Sequence, residues 1–111
     1  MDKVGIIEYD KLAIGNNLMC NNIYLREWRC PLPSLRDGSY MFGGCSNLIS
    51  FSSDSSGSPV NLSNLTNGVG MFYDTNLSEF TSNLSSLTDG ECMFWQCDNL
   101  KSFSSDLPSL K

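Results

Sequence analysis

LTDGECMFWQCDNLKSFSSD, residues 87–106, decides the fold, because the chain carries it more than once. LRDGSYMFGGCSNLISFSSD at 35–54 lies over it closely, and LTNGVGMFYDTNLSEFTSN at 65–83 lies over it with one residue missing. Self-similarity at such a spacing marks stacked supersecondary units. The phased residues are Leu35, Leu65, Leu87 and Leu110, then Gly38, Gly68 and Gly90, then the pairs Met41-Phe42, Met71-Phe72 and Met93-Phe94. Cys45, Thr75 and Cys97 follow, then Leu48, Leu77 and Leu100, then Phe51, Phe80 and Phe103. One unit cannot bury its apolar side alone, so each Leu, Met and Phe is expected to rest on its equivalent in the next unit.

The repeat steps are uneven. Leu35 to Leu65 is 30 residues, Leu65 to Leu87 is 22, and Leu87 to Leu110 is 23. The long step holds an insertion, SSGSPVN at 55–61, read as a surface loop. The short step is read at Tyr73-Asp74-Thr75, expected to be one residue short of its counterparts.

MFGGCSNLISFSSD and MFWQCDNLKSFSSDLPSL resemble the bacterial BspA-like leucine-rich repeats, and the Met-Phe pair is similar to a sister class of surface repeats carrying MFxxCxxL. The resemblance runs from about Cys20 to Lys111. It implies a leucine-rich-repeat-like solenoid, a β-rich α/β fold of short parallel strands with short helical turns and loops. It also implies a cell-surface or virion-associated protein. Ser53 and Ser105 depart from the family pattern where a second strand aliphatic is usual, and Met stands for the usual Ala.

On this reading residues 1–17 form an N-terminal cap and 18–111 the repeats. Residues 18–34 are a degenerate first unit, 35–64, 65–86 and 87–109 are fuller ones, and 110–111 begin another. Val4 to Tyr9 and Leu12 to Ile14 suggest two short cap strands. Matching Cys20-Asn21-Asn22-Ile23 to Cys45-Ser46-Asn47-Leu48 puts Asn16 and Asn17 at the Met-Phe positions. Strands are expected at 48–53, 77–82 and 100–105, with IYLREW at 23–28 as the first-unit counterpart. Alternation then turns Phe51, Phe80 and Phe103 inward. Asp37-Gly38, Asn67-Gly68 and Asp89-Gly90 read as tight turns with Gly at positive φ, each launching a Met-Phe helical turn. Trp28 is either core or an exposed aromatic. The molecule is expected either to continue past Lys111 or to self-associate end to end through its last unit, because solenoids need a polar terminal cap and LPSLK does not supply one.

Composition narrows function by exclusion. The 111 residues carry a net charge of −5, and because residues 1–36 hold an excess of one positive charge the repeats alone carry −6. Nucleic-acid binding needs a basic stripe, so that partner is set aside. Arg26, Arg29 and Arg36 read as solvating the first units. No stretch approaches the roughly 20 apolar residues of a membrane span, and MDKVGIIEYD lacks the apolar core of a signal peptide.

There is no histidine, which removes Ser-His-Asp and Cys-His catalysis. Of five cysteines, Cys20, Cys45 and Cys97 share a phase with Thr75, the mark of a packing position, while Cys30 and Cys92 lie off phase. No C-x-x-C suggests zinc. Asp54, Asn83 and Asp106 share a phase and read as turn caps rather than an acid/base pair. Asn-x-Ser/Thr at Asn61, Asn64, Asn76 and Asn83 arises from the repeat itself. No catalytic residue, metal ligand or cofactor is expected.

The candidate binding face is the outward strand ladder of Ser50, Ser52, Glu79, Thr81, Ser102 and Ser104. Tyr40, Tyr73 and Trp95 flank the Met-Phe turns and supply aromatic contacts on another side. The expected activity is a non-catalytic protein-binding or adhesion module taking a protein or glycan ligand. The alternative is a structural spacer or assembly segment of a larger surface or virion protein. Aromatics clustered on one face would mark the first; a bare Ser/Thr ladder would mark the second.

Overall fold

The computed structural model describes residues 11–54 and 56–103, with Ser102 and Phe103 described by backbone alone. Four strands appear in chain order: β1 (Glu27–Arg29), β2 (Ser50–Ser52), β3 (Glu79–Phe80) and β4 (Ser102–Phe103). They form two separate parallel pairs. β1 lies beside β2 in the register Glu27↔Ser50, Trp28↔Phe51 and Arg29↔Ser52. β3 lies beside β4 in the register Glu79↔Ser102 and Phe80↔Phe103.

This architecture corrects the expectation of a leucine-rich-repeat-like solenoid with helical turns. Among the described residues there is no helix, and the strands run two or three residues where six were expected. The chain forms a small, turn-rich domain with a Cα radius of gyration of 12.7 Å.

The backbone of the Met-Phe segments explains the absence of helix. The amides of Gly38, Tyr40, Phe42 and Gly44 donate to the carbonyls of Asn67, Val69, Met71 and Tyr73 in the next unit, at 2.8–2.9 Å. The intervening amides of Met41, Gly43 and Cys45 donate to the carbonyls of Gly38, Tyr40 and Phe42, three residues back in their own turn. An α-helix would commit every amide to a carbonyl four residues back, leaving none for a neighbour. Here alternate amides serve the turn and the neighbour.

The pattern repeats. Gly68, Gly70, Phe72 and Asp74 donate to Asp89, Glu91, Met93 and Trp95, and Gly15, Asn17, Met19 and Asn21 donate to Asp37, Ser39, Met41 and Gly43. Reversing the chain so sharply requires left-handed residues at two fixed places per unit. Asn17, Tyr40, Gly70 and Cys92 occupy one, with φ of 63°, 56°, 60° and 57°. Asn21, Gly44, Asp74 and Gln96 occupy the other, with φ of 63°, 78°, 56° and 62°. A right-handed helix cannot propagate through either position.

These bonds also correct the register of the first unit. Leu18 and Met19, not Asn16 and Asn17, stand level with Met41 and Phe42. Asn22 rather than Cys20 therefore shares the phase of Cys45, since both donate three residues back, to Met19 and Phe42 respectively. The glycines of the Asx-Gly pairs are not at positive φ either. Instead Asp37, Asn67 and Asp89 each accept, at Oδ1, the amide two residues on: Ser39, Val69 and Glu91 at 3.0–3.2 Å. Their glycines answer a packing demand, because a Cβ on Gly38 would stand 2.9 Å from Met71 Sδ and one on Gly68 would stand 3.1 Å from Met93 Sδ.

The core is a double file of rings between these turns and the strands. Phe42 stacks on Phe72 at 5.5 Å and Phe72 on Phe94 at 5.7 Å, with interplanar angles of 8° and 7°. Phe51 stacks on Phe80 at 6.2 Å and meets Phe42 and Phe72 edge-on. Trp28 opens this second file: it is buried, packs edge-on to Phe42, and pairs with Phe51 in register. Phe94 and Phe51 are half-buried, and Phe80 is buried. Leu32, Leu35, Leu62, Leu65, Leu84 and Leu87 close the core from the third side.

Val60, assigned to the surface insertion by the sequence reading, is fully buried, and Asn61 forms a parallel bridge with Asn83. Asn61, not Asp54, therefore holds the rung that matches Asn83. Of the cap, Ile14 makes a single bridge to Asp37 and is exposed. Val4 to Tyr9, Ser104, Ser105, Asp106 and the 107–111 tail lie outside the described residues.

Candidate functional site

On the strand side the ladder breaks once. The amide of Asn76 reaches the carbonyl of Leu48 at 3.0 Å, but among the described residues β2 and β3 do not pair beyond it. The insertion leaves at this point, and the amide of Ser53 turns to the carbonyl of Ser58 instead. The break opens a groove of about 330 Å³ lined by Ser50, Ser52, Glu79, Thr81, Phe51 and Gly57, among others.

Four of the six expected face residues thus come together, though not as a uniform outward ladder. Glu79 and Thr81 are exposed and Ser50 is half-buried. Ser52, expected outward, is buried, and its hydroxyl donates to the carbonyl of Asp54 at 2.8 Å. Alternation still holds, with Phe51 packed against Phe42 and Phe72 while Ser50 and Ser52 both line the groove; Ser52 is covered where the chain turns at Asp54. Ser102 pairs with Glu79 through the backbone register of β4, and Ser104 lies outside the described residues.

The rim of this groove is held by Asp54. Its Oδ1 accepts the Ser56 hydroxyl at 2.6 Å and the Ser56 and Ser58 amides at 3.0 and 3.3 Å. The hydroxyl bond first, and the amide bonds after it, hold the carboxyl below its ordinary value.

On the turn side the second set of candidates forms a continuous row. Tyr40 meets Tyr73 edge-on at 6.0 Å, and Tyr73 stacks against Trp95 at 6.2 Å. Tyr40 is 40% exposed and Trp95 57%. Two glycines that the sequence reading did not single out make the row possible. A Cβ on Gly43 would stand 2.7 Å from the Tyr73 ring, and one on Gly70 would collide with the Tyr40 ring. Tyr40 and Gly70 share one phase, Gly43 and Tyr73 the other, so each ring lies over a glycine of the adjoining unit. That reciprocal Tyr/Gly pattern was the available signal.

The thiols are part of the scaffold. Cys45 Sγ donates to the carbonyl of Met19 and Cys97 Sγ to that of Phe72, both at 3.0 Å. Burial pushes the Cys45 thiol up, against a smaller opposing bond from the Asn22 amide. Cys20 is half-buried off this phase, and Cys92 is exposed. Among the described residues no group of three or more His, Cys, Asp or Glu side chains is placed to hold a metal ion. No helix of the described residues is long and apolar enough to cross a membrane.

No family model, curated protein or solved structure matches the chain.

Proposed function

We propose that the chain is a non-catalytic binding or adhesion module whose contact surface is the row Tyr40–Tyr73–Trp95. The observation that carries this reading is the continuity of the row across three units, with a glycine of the adjoining unit under each tyrosine. A spacer needs only a solvated exterior. Rigid, exposed aromatics with few rotatable bonds are what contact surfaces favour. The groove at Glu79 and Thr81 offers a second, hydrogen-bonding contact. The likeness of the Met-Phe-x-x-Cys segments to bacterial surface repeats supports the same reading.

The test is to immobilise the intact protein, probe peptide and glycan arrays, and repeat with Trp95→Ala and Tyr40→Ala. Ligands retained by the parent and lost by the variants support the module. Arrays that hold nothing, or that hold the same ligands whichever variant is used, overturn it.

A further inference from the structure

We infer that the aromatic row takes an extended, cationic peptide segment with arginine at alternate positions. This deepens the binding reading above and rests on it. Three observations converge on that occupant.

The first is charge. The turn segments that build the row, residues 37–48, 67–77 and 89–98, carry Asp37, Asp74, Asp89, Glu91 and Asp98 and neither Lys nor Arg. Among the described residues, the basic residues of the repeats lie elsewhere: Arg26 and Arg29 at or beside β1, Arg36 before the first Asx-Gly pair, Lys101 before β4. A cation approaching the row meets acidic residues on each turn segment and no basic residue within those segments.

The second is the surface itself. Aromatic rings beside carboxylates suit a guanidinium, which stacks on a ring while its N–H groups reach an acid. Trp95, with 57% of its surface open, is the most accessible of the three rings. Asp74 directly follows Tyr73, and Glu91 lies on the same turn as Trp95.

The third is spacing. The rings repeat at 6.0 and 6.2 Å along the row. In an extended chain, residues two apart point the same way at about 6.6 Å. Arginines at alternate positions therefore match the rings nearly one to one, whereas consecutive arginines project half their charge away from the row.

The experiment compares two peptides of equal composition, Arg-Ser-Arg-Ser-Arg-Ser and Ser-Ser-Ser-Arg-Arg-Arg, titrated into the intact protein. Trp95 fluorescence is the readout, since Trp28 is buried and 5% exposed. The alternating peptide is expected to bind about tenfold more tightly than the block peptide, and Trp95→Ala to lose about tenfold, as loss of one cation–π contact implies. Trp95→Phe should restore part of that loss. Glu91→Gln should weaken binding less and flatten its salt dependence. Equal affinity for the two peptides, or binding indifferent to Trp95→Ala, overturns the inference as general attraction to an acidic protein. An array ligand that is neutral yet depends on Trp95, with neither peptide bound, overturns the cationic partner while the binding reading stands. Loss of both sinks both.

Discussion

The thioether of Met71 fills the space over Gly38, its Sδ 2.9 Å from where a β-carbon on Gly38 would stand. Met71 is fully buried, so its side chain has little room to retreat. Gly38→Ala should therefore destabilise by about 1–3 kcal/mol, as overpacking does. Because the clash is between these two residues, Gly38→Ala with Met71→Ala should cost less than the sum of the single changes. Urea denaturation of the four proteins measures the coupling; strict additivity would show that the glycine answers some other demand.

Phe72 is fully buried, stacked between Phe42 and Phe94 and met edge-on by Phe51 and Phe80. Phe72→Ala is expected to cost about 3–5 kcal/mol. Phe94→Ala, at a half-buried position, should cost less. An equal loss at both positions in chemical denaturation contradicts the packing described.

The thiols should separate by environment. Cys92, exposed, should react first with a thiol reagent, and Cys45, buried and bonded to Met19, last. Because burial raises the folded Cys45 thiol, its contribution to stability is complete below the ordinary thiol value. It is lost as pH rises through the raised folded value. Mass-resolved labelling across alkaline pH gives the order, and early modification of Cys45 in folded protein would refute it.

Asp54 runs the other way. Its folded value is lowered by Ser56 and Ser58, so its contribution is present above the ordinary carboxyl value and lost as pH falls through the lowered one. An NMR titration should place its midpoint below that of an unstructured aspartate. Ser56→Ala, which removes the leading hydroxyl bond, should bring the midpoint back up; an unmoved midpoint counts against the rim geometry.

The repeat period was legible because side chains that stack must recur, and Leu, Gly, Met and Phe did so without ambiguity. The conformation between them was not. Tyr40, Cys92 and Gln96 hold left-handed backbone that their residue types do not favour. Their geometry comes from bonds to the adjoining unit, which a local reading cannot see. The first unit misled for a related reason. Matching cysteines set Cys20 against Cys45, whereas the backbone sets Met19 against Phe42, and the cysteine phase passes to Asn22. The candidate residues fared unevenly. Tyr40, Tyr73 and Trp95 were readable as flanks of the Met-Phe pairs, but the glycines that gather them into a row were not. Ser52 lines the groove beside Ser50 but is covered where the chain turns at Asp54, a burial that strand alternation does not report.

The two-fold division of amide labour within residues 15–21, 38–44 and 68–74 makes each of these segments a fixed-length part. Deleting or adding one residue there would exchange the two sets, sending every outward amide back into its own turn and leaving the adjoining unit's carbonyls without donors. These three segments and 90–96, which carries the same inward bonds, are each seven residues long, although the steps between their glycines are 23, 30 and 22. The length differences fall elsewhere: the insertion lies in 55–61, and the short unit loses its residue after Thr75, beyond the seven. Variation in this chain is thus channelled by parity. Whole units and loops are free to come and go, while the turns between them are locked against the smallest change in length.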